Sequence, residues 1–188
     1  MAAGTKAVAM NPDPLVERIG RSDAAAFGEL FESINRPLVR YIQGFTRDVA
    51  TAYDVLQDVF AKLWEIRETL PAETKLSPLL YTMARNRALN VIRKHSRYAD
   101  LDLTEESDHF TVDISPDVEY SANELERNLG KWIGELPPRR AEAFMLARYH
   151  GLSHAEIGKI MNLSERTVQT HLVHALRDLR TKMKSLQG

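Results

Sequence analysis

The sequence predicts an all-α protein: two small helical domains joined by a flexible acidic linker, the second a helix-turn-helix (winged-helix-like) domain. Three observations carry this. Apolar residues recur at three- and four-residue spacing through both ends of the chain, punctuated by cap residues, Pro and Gly. Residues 152–180, LSHAEIGKIMNLSERTVQTHLVHALRDLR, read as two helices on a tight turn. Between the periodic halves, residues 98–120 are rich in Asp, Glu, Ser and Thr and show no sustained periodicity.

Taken in order, residues 1–12 are small and polar, as expected of a disordered terminus. Pro14 to Ile19 forms a short helix ending at Gly20. Asp23 caps a longer one with the stripe Phe27, Leu30, Phe31, Ile34, Leu38, Ile42 and Phe45, and Pro37 is expected to kink or restart it near Arg36. Asp48 caps the next, whose inward face is Ala52, Val55, Leu56, Val59, Phe60, Leu63 and Ile66. After Pro71, Ser77 and Pro78 occupy the cap and first-turn positions of a third helix burying Leu79, Leu80, Met83, Ala84, Ala88, Val91 and Ile92. These three stripes define a first domain over residues 13–97.

The linker, 98–120, spans at most about 80 Å extended and about 25–30 Å as a coil. Glu124 to Glu135 is helical with Leu125, Leu129, Trp132 and Ile133 inward, and Leu136-Pro137-Pro138 stops it. Arg139 to Tyr149 buries Ala143, Phe144, Leu146 and Ala147, and Gly151 ends it. In the helix-turn-helix, Ser153 and Glu156 form a capping box, Asn162 suits a left-handed helix end and Ser164 caps the last helix. Val168, Leu172, Ala175, Leu176 and Leu179 face the core. The second domain covers residues 121–185.

Composition narrows the class. The chain has 188 residues, 44% apolar and 27% charged, in the range of a globular protein. No apolar run reaches the roughly 20 residues of a membrane span, and MAAGTKAVAMNPDP lacks the basic start and apolar core of a secretory signal, so cytoplasm is the expected compartment. With no cysteines there is neither disulfide nor thiolate metal site. A net charge of −1 conceals segregation: residues 75–99 hold six basic residues and no acidic one, residues 100–126 ten acidic residues and no basic one. Opposite blocks steer partners by local potential whatever their sum.

Three faces suit recognition. On the last helix, Arg166, Gln169, Thr170, Val173, His174 and Arg177 lie opposite the core stripe, where they can contact base edges, phosphates or a thymine methyl. On the third helix, Asn86, Asn90, Arg93 and Arg97 align at spacings of four, three and four, with Tyr81 and Tyr98 as candidate stacking rings. On the second, Asp54, Gln57, Asp58 and Lys62 form an acidic amphipathic face suited to a protein partner. His150/His154 and His171/His174 have metal-pair spacings without a third ligand, so no metal or cofactor is expected. Trp64 and Trp132 are expected in the core. No nucleophile–base pair, phosphate loop or carboxylate dyad has a catalytic context, so the chain is not read as an enzyme.

Over residues 13–185 the chain resembles the extracytoplasmic-function (ECF) sigma factors of bacteria. DAAAFGELFE, AYDVLQDVFAKLWE and LSPLLYTMARNRALNVIRKHSR are similar to sigma region 2, and LGKWIGELPPRRAEAFMLARYHGLSHAEIGKIMNLSERTVQTHLVHALRDLR is similar to region 4. The resemblance implies a promoter-specificity subunit of RNA polymerase. Asp54, Gln57, Asp58, Lys62 and Trp64 would meet the β′ clamp helices, and region 4 the β flap. Asn86, in MARN, would help hold a flipped base of the −10 element in a pocket completed by the loop from Glu65 to Lys75. Arg85, Asn90, Arg93, Lys94 and Arg97 complete that surface. The helix from Glu165 to Arg180 would enter the major groove at the −35 element, the acidic linker would thread the polymerase cleft, and an anti-sigma partner would occlude these faces. Gln169, Thr170 and His171 depart from the basic or small residues of many relatives, which leaves the promoter sequence open. A stand-alone helix-turn-helix regulator leaves the first domain unexplained, and a sequestering adaptor leaves the basic faces unexplained.

Overall fold

The computed structural model describes residues 13–98, 110–111 and 124–185. The expectations for residues 1–12, most of the linker, Leu125 and the side chains of Arg97 and Tyr98 lie outside the described residues. Among the described residues, eight α-helices follow in order: α1 Pro14–Gly20, α2 Ala24–Thr46, α3 Val49–Ile66, α4 Leu76–Tyr98, α5 Glu124–Gly134, α6 Pro138–Arg148, α7 His154–Met161 and α8 Glu165–Ser185, with a 3₁₀ turn at Arg67–Thr69. Among these residues there is no strand.

Asp23, Asp48 and Ser153 cap where the sequence signals them, whereas Ser77 lies inside α4. Asp23 accepts from the backbone of Ala25 and Ala26, Asp48 from Thr51, and Ser153 with Glu156 closes the capping box of α7. Asp23 and Asp48 are held below the usual carboxylate range, first by the amide of Ala26 and by the Thr51 hydroxyl respectively.

Pro37 does not restart α2, which runs unbroken from Ala24 to Thr46. A proline inside a helix costs about 3 kcal/mol. Leu30, Ile34, Leu38, Tyr41 and Ile42 are buried on both sides of it, and burial of each Leu or Ile contributes about 1.5–3 kcal/mol. Packing therefore outweighs the missing hydrogen bond. Helix α4 begins at Leu76, before Ser77, because Leu76 is fully buried. Pro78 then falls in the first turn, where its absent N–H has no intrahelical partner to lose.

Helices α1–α4 pack around one end of the core, α5–α8 around the other, and α7 lies against α4. The buried cluster is continuous through both halves. Leu176, expected inside, is exposed: α5–α7 cover the stripe Val168, Leu172, Ala175 and Leu179, and Leu176 lies at its margin. Phe31 likewise sits at the edge of the α2 stripe, its ring 5.0 Å from that of Phe60. The linker is not wholly without a core: Phe110 is buried against Tyr41 and Phe45, and the Thr111 N–H donates to the Gly44 carbonyl at 2.6 Å.

Candidate nucleic-acid and partner interfaces

The helix-turn-helix is set by its turn. Asn162 takes φ 54°, and the N–H of Leu163 donates to the Gly158 carbonyl at 2.8 Å. Ser164 Oγ accepts from the Thr167 amide at 3.1 Å and starts α8. Val168, Leu172, Ala175 and Leu179 anchor α8 inward, so Arg166, Gln169, Thr170, Val173 and His174 line one open outward surface. Thr170 Oγ1 donates to the Arg166 carbonyl at 3.0 Å, which leaves its methyl and lone pairs for an outside contact. Arg177 extends this face, 3.6 Å from Asp178, whose other oxygen accepts from Arg140 at 2.8 Å. His171 is half-buried, and desolvation, then Arg139, Arg140 and His174, hold its pKa below the ordinary value. It lies on the α6 side, within reach of Arg139 and Arg140.

On α4, Asn86, Asn90, Arg93 and Lys94 are exposed, with Arg93 donating to Asn90 Oδ1 at 3.2 Å. Two of the residues expected on this surface are elsewhere. Tyr81 is 1% exposed, its hydroxyl 2.7 Å from His150 Nδ1, so it is a core ring and not a stacking platform. Arg85 is 9% exposed, and its Nε donates to Glu142 Oε1 at 2.8 Å. Arg85 directly precedes Asn86 and Tyr81 lies one turn before Arg85, so the two share a side of α4 turned away from the outward stripe, and the α5–α8 half covers that side.

On α3, Asp54, Gln57, Asp58 and Lys62 are exposed together. Asp58 accepts from Arg87 Nε at 2.7 Å, an exposed pair that joins this face to α4. Lys62 pairs with Glu65 at 2.8 Å. Trp64 is half-buried, edge-on to Phe27 with Arg67 4.3 Å above its ring. It supports the face from behind more than it extends it. In the loop after α3, Lys75 donates to Glu156 Oε1 at 2.6 Å.

Sequence reasoning misses the contact between the halves. Glu142 is 1% exposed and accepts from Tyr41 Oη at 2.7 Å as well as from Arg85. A signal is present: Glu142 stands between Ala141, Ala143 and Phe144 on a helix whose neighbouring positions are buried. Nothing local names its partners, which are 101 and 57 residues away.

Both halves have counterparts among known proteins. Residues 30–98 match the family described as sigma-70 region 2, and residues 126–179 that described as sigma-70, region 4. The chain is 30% identical over 169 residues to the RNA polymerase sigma-H factor of Pseudomonas aeruginosa, covering 86% of this chain and 88% of that one. It is 28% identical over 184 residues to the ECF RNA polymerase sigma-E factor of Haemophilus influenzae, covering 92% and 95%. Among solved structures, the sigma factor RpoE in complex with the anti-sigma factor NepR from Bartonella quintana shares the fold, with a TM-score of 0.65 and 22% identity over 84% of this chain and 96% of that one. CnrH, in complex with the cytosolic domain of CnrY, matches with a TM-score of 0.62 and 18% identity over 91% and 96%.

Proposed function

This chain belongs to the sigma-70 family of RNA polymerase sigma factors, in its extracytoplasmic-function branch, and we propose from that premise how its faces divide promoter recognition. It directs RNA polymerase core to promoters. Residues 13–97 act as region 2, residues 98–120 as the tether and residues 121–185 as region 4. One observation carries the division of labour: a single chain presents two exposed basic and amide-bearing faces, on α4 and α8, beside an acidic face on α3.

The α3 face of Asp54, Gln57, Asp58 and Lys62 docks on the β′ clamp helices, and an acidic face favours a partner surface of opposite charge. The α8 face reads the −35 element, with Arg166 and Arg177 suited to guanine or phosphate and Gln169 to adenine. Glu165, in the first turn, favours the helix dipole and faces away from phosphate or accepts from a cytosine amine. On α4, Asn86 contacts an extruded base of the −10 element, while Asn90, Arg93, Lys94 and Arg97 hold the adjoining strand. Extruding a base costs a few kcal/mol, which these contacts offset. No described helix is long and apolar enough to cross a membrane. We place the protein in the cytoplasm, acting without chemistry of its own and restrained by an anti-sigma factor that covers these faces. RpoE of Bartonella quintana, which shares this fold, is held in complex with the anti-sigma factor NepR, and that likeness supports such a partner.

Run-off transcription with core polymerase on a randomised promoter library tests the reading. Two elements at a fixed spacing are expected in the products, and failure to support core-dependent transcription would overturn it. In the same assay Asn86→Ala is expected to reduce open-complex formation about tenfold while closed-complex binding changes less than twofold, read by permanganate footprinting beside mobility shift. Asp58→Arg is expected to weaken core binding about tenfold or more in competition against the wild type, with unchanged far-UV circular dichroism. Undiminished binding would remove Asp58 from the dock.

A further inference from the structure

The contact between the halves is built around a buried carboxylate. Glu142 of α6 accepts from Tyr41 Oη of α2 and Arg85 Nε of α4, both in the opposite half. Around it, His150 Nδ1 is 2.7 Å from Tyr81 Oη, Lys75 donates to Glu156, and Phe110 packs on Tyr41 and Phe45, with the Arg85 guanidinium 6.0 Å from the Phe45 ring. This surface therefore joins α2 and α4 to α6, α7 and the linker.

Geometry makes this packed form incompatible with reading two promoter elements at once. Positions 35 and 10 are about 25 base pairs apart, roughly 85 Å of duplex at about 3.4 Å per step. A packed chain of this length has a radius of gyration near 16 Å and is about 40 Å across. Parting the halves releases Arg85 on the helix that carries Asn86.

We propose that Glu142 is an intramolecular latch that keeps the helix-turn-helix half docked on α2 and α4 and withholds Arg85 from nucleic acid until the halves part. Electrostatics suits the role. Both ions lose their hydration in the closed form and regain it on opening, so a buried pair stabilises closure only weakly while making it specific. Removing one partner leaves an uncompensated buried charge, which water relieves when the halves separate. Removing both abolishes the buried charges but strands the Tyr41 hydroxyl, so an apolar replacement without an unpaired group also needs Tyr41→Phe. That opening serves promoter binding rests on the sigma-factor reading; the latch itself does not.

The chain has no cysteine, so a label pair at Arg36→Cys and Thr181→Cys, both exposed, reports the distance between halves. Pulsed dipolar spectroscopy on the full chain is expected to give a short, narrow distribution. Arg85→Met and Glu142→Leu are each expected to raise the long-distance population at least tenfold, and the two combined with Tyr41→Phe to restore the short one. Glu142→Gln, which still accepts from Tyr41 but carries no charge, is expected to fall between. Circular dichroism is expected to show unchanged helicity, which separates opening from unfolding. A long distance in the parent chain, or single variants that leave it short, would overturn the latch. Run-off transcription is scored separately: a latch that responds in a chain unable to serve core polymerase defeats the functional reading alone.

Discussion

Gly158→Val is expected to destabilise the helix-turn-helix by about 3 kcal/mol and to abolish −35 retention while leaving core binding in place. A side-chain carbon added at Gly158 would lie 2.7 Å from the backbone carbonyl oxygen of Leu163 and 3.7 Å from the Glu165 nitrogen. The obstacle is backbone, so it cannot rotate away. Relief requires α7 to move off the turn, and that turn sets the angle at which α8 presents Arg166 and Gln169. Overpacking of this kind costs about 1–3 kcal/mol, and a β-branched side chain adds a clash of its own. Gly158→Ala is the milder case, because about 1 kcal/mol of helix propensity is regained. Thermal melts check both. A drop of roughly 6–12 °C is expected for valine, at about 2–4 °C per kcal/mol for a chain this size, and an unchanged melting temperature would show that the turn accommodates a side chain there.

The second large effect is acid lability centred on His150. Burial beside Tyr81 pushes its pKa down from 6.5 to about 4, and its Nε2 is buried without a hydrogen-bond partner. The folded chain thus takes up this proton less readily than the unfolded chain. Stability from the neutral ring is complete above pH 6.5 and falls as pH drops toward 4, by about 3 kcal/mol at about 1.4 kcal/mol per unit. The charged or hydrogen-bonding groups on the packed elements are Tyr81 and Arg85 on α4, Tyr41 on α2 and Glu142 on α6. Urea titrations at pH 7, 6, 5 and 4 check the slope. His150→Phe keeps a ring against Tyr81 and is expected to flatten that slope, at the cost of an unpartnered Tyr81 hydroxyl at every pH. Equal slopes in parent and variant would assign the acid loss to carboxylates instead.

Both effects arise at positions that the sequence marks for other reasons or not at all. Gly158 lies inside a helical pattern, where its glycine has no local explanation. The carbonyl that requires it belongs to the turn five residues on. His150 has metal-pair spacing with His154, whereas it packs against a tyrosine 69 residues away. The −35 face fares differently. Arg166, Gln169, Thr170, Val173 and His174 share one surface because helical spacing alone places them there once the inward stripe is known.

The same contrast separates what each level decided. By itself the sequence determined the eight described helices, nearly all their ends, the caps at Asp23, Asp48 and Ser153, and the outward faces of α3 and α8. These depend on spacing along one segment and on residues within four positions of each other. Tertiary structure decided what lies between the halves. Pro37 stayed within one helix because residues on both sides of it were buried together. Tyr81 and Arg85, on a side of α4 turned away from the exposed Asn86, were buried by a second half whose position no local period encodes. Glu142 is polar by residue type and buried by partnership. Its burial became favourable only when Tyr41 and Arg85, far away in the chain, supplied the hydrogen bonds that water gives it in the unfolded state.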